Sequence, residues 1–308
     1  MSEPKAPQDV SRQDVFSQDY AHWPEHLRPI AAKLRCPSGM GRLEYDGDTL
    51  FCPESKERYP IHEGIPLMAR EGTVDGWAPG ASVDEDSTDY QKAYQELEEA
   101  EFYNTEYTAH FEKRLSTARE YRLLDRLLSS QGRSEIILDL PSGGGRLSPK
   151  IAEHTDLLLE ADIALGQVLY GQRQPALAAP QLWMTASAFH IPLADNSVDG
   201  TVCPRLNHHL PTPEERERLI EELLRVSRRF VIMTFFDHYS VKNWLRRIRA
   251  PFNKKPPKMT MTVGRVRELA EAGGARLEAY PMLSPVSSGH RYALMVKNGQ
   301  PGAGRQKS

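Results

Sequence analysis

Residues 135–154 read "EIILDLPSGGGRLSPKIAEH": an apolar run closed by Asp139, three consecutive glycines, then a stretch with helical spacing. A short apolar run bounded by turn residues is the mark of a buried strand. Glycines after such a strand let the backbone turn sharply and approach a ligand closely, and the following helix start offers backbone amides. In a parallel α/β sheet this order places a ligand at the carboxyl end of the strand. A glycine-rich turn can also serve packing alone. In dinucleotide register the loop reads Gly143, Gly145 and Ser148, so a nicotinamide-type loop is a rival reading.

Outward from this loop, short apolar segments alternate with helical ones. Strands are predicted near 135–141, 157–162, 181–187, 200–205, 229–236, 277–283 and 292–298, and helices near 145–154, 163–172, 213–227 and 262–272. That alternation predicts an α/β fold, a Rossmann-like seven-stranded sheet with helices on both faces. Upstream, 89–130 carries apolar and aromatic residues at helical intervals without Gly or Pro, which predicts two or three helices. In "LLLEAD" Glu160 and Asp162 close the second strand, where a carboxylate can accept from both hydroxyls of a ribose; "ADNSVDG" (194–200) introduces the fourth.

At 308 residues, the chain holds one α/β domain and a smaller module. The composition divides it into a polar tail (1–30), a turn-rich, β-rich module (31–72), an acidic linker (73–88), the α/β domain (89–298) and a disordered tail (299–308). No apolar run is long enough to span a bilayer and the N-terminus lacks a secretory apolar core, so the chain reads as cytoplasmic. A net charge of -3 argues against nucleic acid as the partner and leaves only local basic patches. Cys36, Cys52 and Cys203 are too few for a disulfide framework.

"ILDLPSGGGR", "LLLEADIALGQV" and "ASAFHIPLADNSVDGTVCPRLNHHL", in this order, resemble the motifs of class I S-adenosylmethionine-dependent methyltransferases, in particular the broad group that includes the ubiquinone- and menaquinone-type enzymes. The resemblance covers about residues 90–298 and implies S-adenosyl-L-methionine as cofactor. It places Asp139 near the amino group of the methionine moiety, Pro141, Gly143 and Gly145 along its backbone, and Asp162 with Ile163 at the ribose. Pro141 stands where many members have the first glycine. Ser187 stands where members often carry an acid near the adenine, so that contact is expected to pass to the backbone of Ala188 and Phe189.

The segment 34–69, ending in "YPIHEGIPLMA", resembles the small zinc-ribbon activator subunit of tRNA and release-factor methyltransferases, also found as a free-standing bacterial protein. Relatives carry two cysteine pairs; here Cys36 and Cys52 keep the first positions while Gly39 and Ser55 hold the second. Two thiolates cannot close a tetrahedral zinc site, and His62 is the only nearby imidazole, so the module is expected to be a metal-free ribbon. The resemblance implies docking to a protein partner or presentation of substrate.

Methyl transfer to a hydroxyl requires orientation and proton removal. His208 and His209 in "RLNHHLP", just past the fourth strand, are the candidate bases, with His190 as another; a histidine pair at such a turn can equally be structural. "DHYSVKNWLRRIRAPFNKKPPK" (237–258) is strongly basic. Val241, Trp244, Leu245 and Ile248 share one helical face, flanked or opposed by Arg246, Arg247 and Arg249. Those arginines are the candidate contacts to an anionic acceptor, small molecule, glycan or lipid, or to an acidic membrane surface; a solvated cationic face is the plainer reading. The sequence-based expectation is thus an O-methylating enzyme. A non-catalytic cofactor-binding scaffold and an RNA methyltransferase are the alternatives.

Overall fold

The computed structural model describes residues 20–69, 100–101, 111–249, 259–284 and 288–299. The expected linker 73–88, residues 1–19 of the expected tail and residues 300–308 lie outside these. The amino-terminal module is a four-stranded antiparallel sheet, β1 (Glu44–Tyr45), β2 (Thr49–Phe51), β3 (Arg58–His62) and β4 (Ile65–Pro66), preceded by a short helix, α1 (Arg28–Ala31). One boundary is corrected here. Residues 20–30 are not a polar tail, because Trp23, Leu27 and Ile30 sit at near-helical spacing and are buried in the main core.

The larger sheet contains β5 (Ser134–Asp139), β6 (Thr155–Asp162), β7 (Gln181–Thr185), β8 (Val198–Cys203), β9 (Ser227–Phe236), β10 (Ala275–Ala279) and β11 (His290–Lys297), in the order β10-β11-β9-β8-β5-β6-β7. Strands β5 to β9 are parallel, and β11 runs antiparallel to both β9 and β10. The chain leaves β5 toward β6 and β7, then returns to β5's other side with β8. That reversal opens a crevice at the carboxyl ends of β5 and β8, the place where such sheets bind ligands.

Helices α2 (Phe111–Ser129), α3 (Ser148–Ile151), α4 (Leu165–Gln172), α5 (Pro213–Val226), α6 (Val241–Arg249) and α7 (Val263–Ala272) accompany the sheet. Helix α5 starts with a reciprocal cap: Thr212 Oγ1 accepts from Glu215 N–H and Glu215 accepts from Thr212 N–H, while Leu219, Ile220, Leu223 and Leu224 fill the core. The expected helix over 145–154 shortens to α3 and a 3-10 turn over Ala152–His154. Strand β5 ends at Asp139, ahead of Pro141, which has no N–H to offer a ladder.

The module docks on the open edge of the sheet. Leu67 bridges Thr185 of β7 in parallel, Met68 N–H donates to the Thr185 carbonyl at 3.0 Å, and Ala69 N–H donates to Thr185 Oγ1 at 3.3 Å. A second bridge joins Leu34 to Leu193, with Arg35 N–H donating to the Pro192 carbonyl at 3.0 Å. An edge strand with unpaired amides invites pairing. Here the chain's own module covers it, so this docking edge is engaged within the chain.

Candidate active site

The glycine loop is held from below by β6. Ser142 N–H donates to the Ala161 carbonyl at 2.8 Å; Gly143 N–H donates to Asp162 Oδ2 at 2.9 Å, and Ala164 N–H to Asp162 Oδ1 at 3.0 Å. Asp162 therefore ties the loop after β5 to the start of α4, with Ile163 half-buried beside it. Gly143 and Gly145 have φ of 55° and 80°, conformations that side chains resist, and a Cβ on Gly145 would lie 3.1 Å from Ser148 Oγ and 3.2 Å from the Trp183 ring. Pro141 begins the loop after a cis peptide bond.

Asp139 is 1% exposed, and among the described residues neither of its carboxylate oxygens has a hydrogen-bond partner. It sits opposite Glu160 across the β5–β6 ladder. Burial pushes the Asp139 carboxyl well above its ordinary range, and the Glu160 charge pushes it further, against Arg146. Burial pushes Glu160 up to about 7, against the hydrogen bond its Oε1 accepts from Gln181 at 3.0 Å. Burial also raises Asp162, against the backbone amides it accepts from. Arg146 offsets only part of the charge of this buried cluster of carboxylates, and a positively charged ligand in the crevice would offset more.

Beyond β7 the chain turns at 187–190. Ser187 is buried and its Oγ accepts from Phe189 N–H at 3.3 Å, which occupies that amide locally and leaves Ala188 as the better placed of the two expected backbone contacts. His190 contacts Arg218. Past β8, Asn207–His209 forms a 3-10 turn. His208 is buried, stacked on Phe236 with ring centroids 4.2 Å apart, whereas His209 is exposed at its side. The structure adds His290, the first residue of β11, 5.1 Å from the His208 ring and 4.4 Å from Phe236. Burial, then Arg205, and further Arg246 and Lys242, push His290 down to about 3, against Glu120. Its imidazole is neutral at physiological pH.

The three candidate arginines separate. Arg246 lies over Phe236, 5.0 Å from the ring center, beside the histidines; Arg247 donates to the His238 carbonyl at 2.6 Å; Arg249 is exposed. Only Arg246 of the three reaches the ring cluster. Beneath it, buried Glu120 of α2 accepts from Arg146 at 2.5 Å and from Arg205 at 2.9 Å, with the Tyr292 hydroxyl at 3.4 Å. Behind the glycine loop a cavity of about 620 Å³ is lined by Tyr121, Arg146, Ser148, Tyr170 and Trp183 and by Gly144 and Gly145. Among the described residues, no histidine lines it.

In the module, Cys36 and Cys52 are buried and free. Cys36 Sγ meets the Tyr59 hydroxyl at 3.2 Å, Ser55 Oγ at 3.3 Å and a Glu57 carboxylate oxygen at 3.4 Å. Among the described residues, no set of three His, Cys, Asp or Glu donors gathers around these thiols. The donors do not fit a structural zinc ion.

A family model described as a methyltransferase domain matches residues 138–232, which span the glycine loop, Asp162, the histidine turn and most of β9. The solved magnesium protoporphyrin IX methyltransferase of Synechocystis PCC 6803, with bound SAH, superposes at a TM-score of 0.53 with 16% identity, covering 62% of this chain and 89% of that one; this likeness concerns the fold. The amino-terminal module is 42% identical over 48 residues to a UPF0434 protein of Coxiella burnetii, 15% of this chain and 86% of that protein. It is also 40% identical over 55 residues to a UPF0434 protein of Cupriavidus necator, covering 79% of that protein. The chain is thus an S-adenosylmethionine-dependent methyltransferase of class I fold that belongs, through its amino-terminal module, to the UPF0434 family.

Proposed function

We propose that this methyltransferase methylates a hydroxyl oxygen of an anionic acceptor, a small molecule, glycan or lipid head group, in the crevice between the glycine loop and the histidine turn. What supports it above all is the set of imidazoles surrounded by cations: His208 and His290 pack on Phe236 under Arg246, with Arg205 and Lys242 acting on His290. Within the methyltransferases, the resemblance of its motifs assigns the chain to the broad group that includes the quinone-type enzymes.

The residues present suit the cofactor. Asp139 offers an ammonium group two carboxylate oxygens that have no hydrogen-bond partner among the described residues, the turns at Gly143 and Gly145 leave room for a backbone-hugging tail, and the resemblance assigns Asp162 with Ile163 to the ribose. Ser187, Ala188 and Phe189 form the turn assigned to the adenine. When bound, S-adenosylmethionine supplies an electrophilic methyl group. Arg246 and Lys242 hold the acceptor's negative charge, and that charge in turn offsets the cations that depress His290. A histidine of the set, His208, His209 or His290, then accepts the hydroxyl proton.

The test is incubation of the full chain with radiolabelled S-adenosylmethionine and total cell extract, followed by separation of lipid, glycan, small-molecule, RNA and protein fractions. Label is expected in an anionic non-nucleic-acid product. With that acceptor in hand, Lys242→Gln with Arg246→Gln should raise KM about tenfold and flatten its salt dependence while leaving S-adenosylhomocysteine binding unchanged. Label in RNA, or a neutral acceptor whose kinetics ignore the double variant, would refute the anionic-acceptor reading.

A further inference from the structure

Helix α6 sits on the protein with its faces reversed. A surface helix normally buries its apolar stripe. Here the buried residue is Asn243, whose Nδ2 donates to the Asp237 and Gly289 carbonyls at 2.9 and 3.3 Å. Beside it, Arg246 lies over the Phe236 ring while staying exposed, and the half-buried Arg247 donates to the His238 carbonyl. The apolar residues face out: Val241, Trp244, Leu245 and Ile248 are 50%, 53%, 37% and 51% exposed, and Tyr239 just before the helix is 75% exposed. Their spacing makes one continuous stripe on a helix only nine residues long.

Charge decides what can cover that stripe. At 100° per residue Lys242 and Arg249 fall along one flank and Arg247 along the other, and the helix contains no acidic residue. An apolar stripe containing tryptophan, edged by Lys242 and Arg249 and with no acidic residue on the helix, matches a headgroup zone: the stripe enters the acyl boundary while the cations meet phosphates. A second protein's apolar groove would accept the stripe but gives no reason for the cations Lys242 and Arg249 along its edge.

We propose that α6 seats the chain on an anionic phospholipid surface, lying in the plane of the headgroups. Arg246 also lies over Phe236 beside the histidines, so a seated protein would present that pocket to the lipid surface; this last point rests on the methyl-transfer reading, whereas the docking itself does not.

The experiment uses the full chain and two vesicle populations, phosphatidylcholine alone and phosphatidylcholine with about one third phosphatidylglycerol. Co-sedimentation should occur only with the second population and reverse in high salt. Trp244→Glu with Ile248→Glu changes exposed side chains, so the fold should persist, and it should lower partitioning by about a hundredfold. Trp244→Phe should keep partitioning but remove the vesicle-induced blue shift of tryptophan fluorescence. Equal binding to both populations, no binding to either, or unchanged binding of the double glutamate variant would overturn the proposal. So would a concentration-dependent dimer abolished by that variant without vesicle binding, which would assign the stripe to a second copy. Calorimetry with S-adenosylhomocysteine on the same samples separates the two readings. Cofactor binding without vesicle binding sinks the docking alone, and vesicle binding without cofactor binding leaves docking standing and sinks the methyl-transfer reading.

Discussion

Asp139 and Glu160 face each other in adjacent strands, both buried, and their carboxyls are raised by burial and, for Asp139, by the neighbor's charge. A carboxyl whose folded pKa exceeds its unfolded value binds extra protons in the native state, so stability falls as pH rises from the unfolded carboxylate range, about 4, through the folded pKa; for Glu160 that point is about 7. The unliganded protein is therefore expected to be less stable at pH 8 than near pH 5 on this account. Asp139→Asn should stabilize the unliganded chain at pH 8 by about 1–3 kcal/mol and weaken S-adenosylhomocysteine binding by about 1.5–3 kcal/mol. Glu160→Gln should stabilize similarly while binding changes little. Paired urea titrations and calorimetry measure both. If Asp139→Asn loses stability, or binds as tightly as wild type, Asp139 is not waiting for a cation.

Among elements, the sharpest coupling runs through Glu120. Its carboxylate draws α2 to Arg146, just past the glycine loop, and to Arg205, just past β8. Burial alone would raise its pKa, yet the two guanidiniums hold it below the ordinary range. A depressed carboxyl stabilizes the fold above its unfolded pKa and loses that contribution as pH falls through the folded one. Glu120→Gln leaves two cations facing each other in a buried place and should destabilize by about 3–5 kcal/mol in urea unfolding. A loss under about 1 kcal/mol would show that the ion pairs are incidental. None of this was legible in sequence, because Glu120 occupies one of many acidic positions in a helical stretch and its partners lie far away in the chain. The strand, glycine and acid order at 135–162 was legible, since the relevant periodicity and turn chemistry are local. For α6 the stripe could be read but not its direction: periodicity defines a face, and only packing says whether that face is buried. His290 carried no spacing signal at all; the β9–β11 ladder, pairing it with Phe236, creates its place.

Across the whole molecule, the module and the catalytic sheet share one core: Trp23, Leu34 and Tyr59 belong to the same apolar cluster as Met184, Ala186 and Leu193. The two bridges between them fall at Thr185 and Leu193, on either side of the turn carrying Ser187, Ala188 and Phe189. A turn pinned at both ends loses little further freedom when a ligand settles on it, so the module should support cofactor affinity as well as stability. Leu34→Ala tests the link, with Leu294→Ala as its control; both side chains are fully buried, but Leu294 belongs to the cluster on the sheet's opposite face. Each should cost about 2–5 kcal/mol of stability through the cavity it leaves. Only Leu34→Ala should also weaken S-adenosylhomocysteine, by about threefold to tenfold, measured where both variants remain folded, since only it loosens the pinned turn. Equal affinities in the two variants would confine the module to a structural role at the sheet edge, whereas weakening in Leu34→Ala alone would make it part of the cofactor site without contributing a single cofactor-contacting residue.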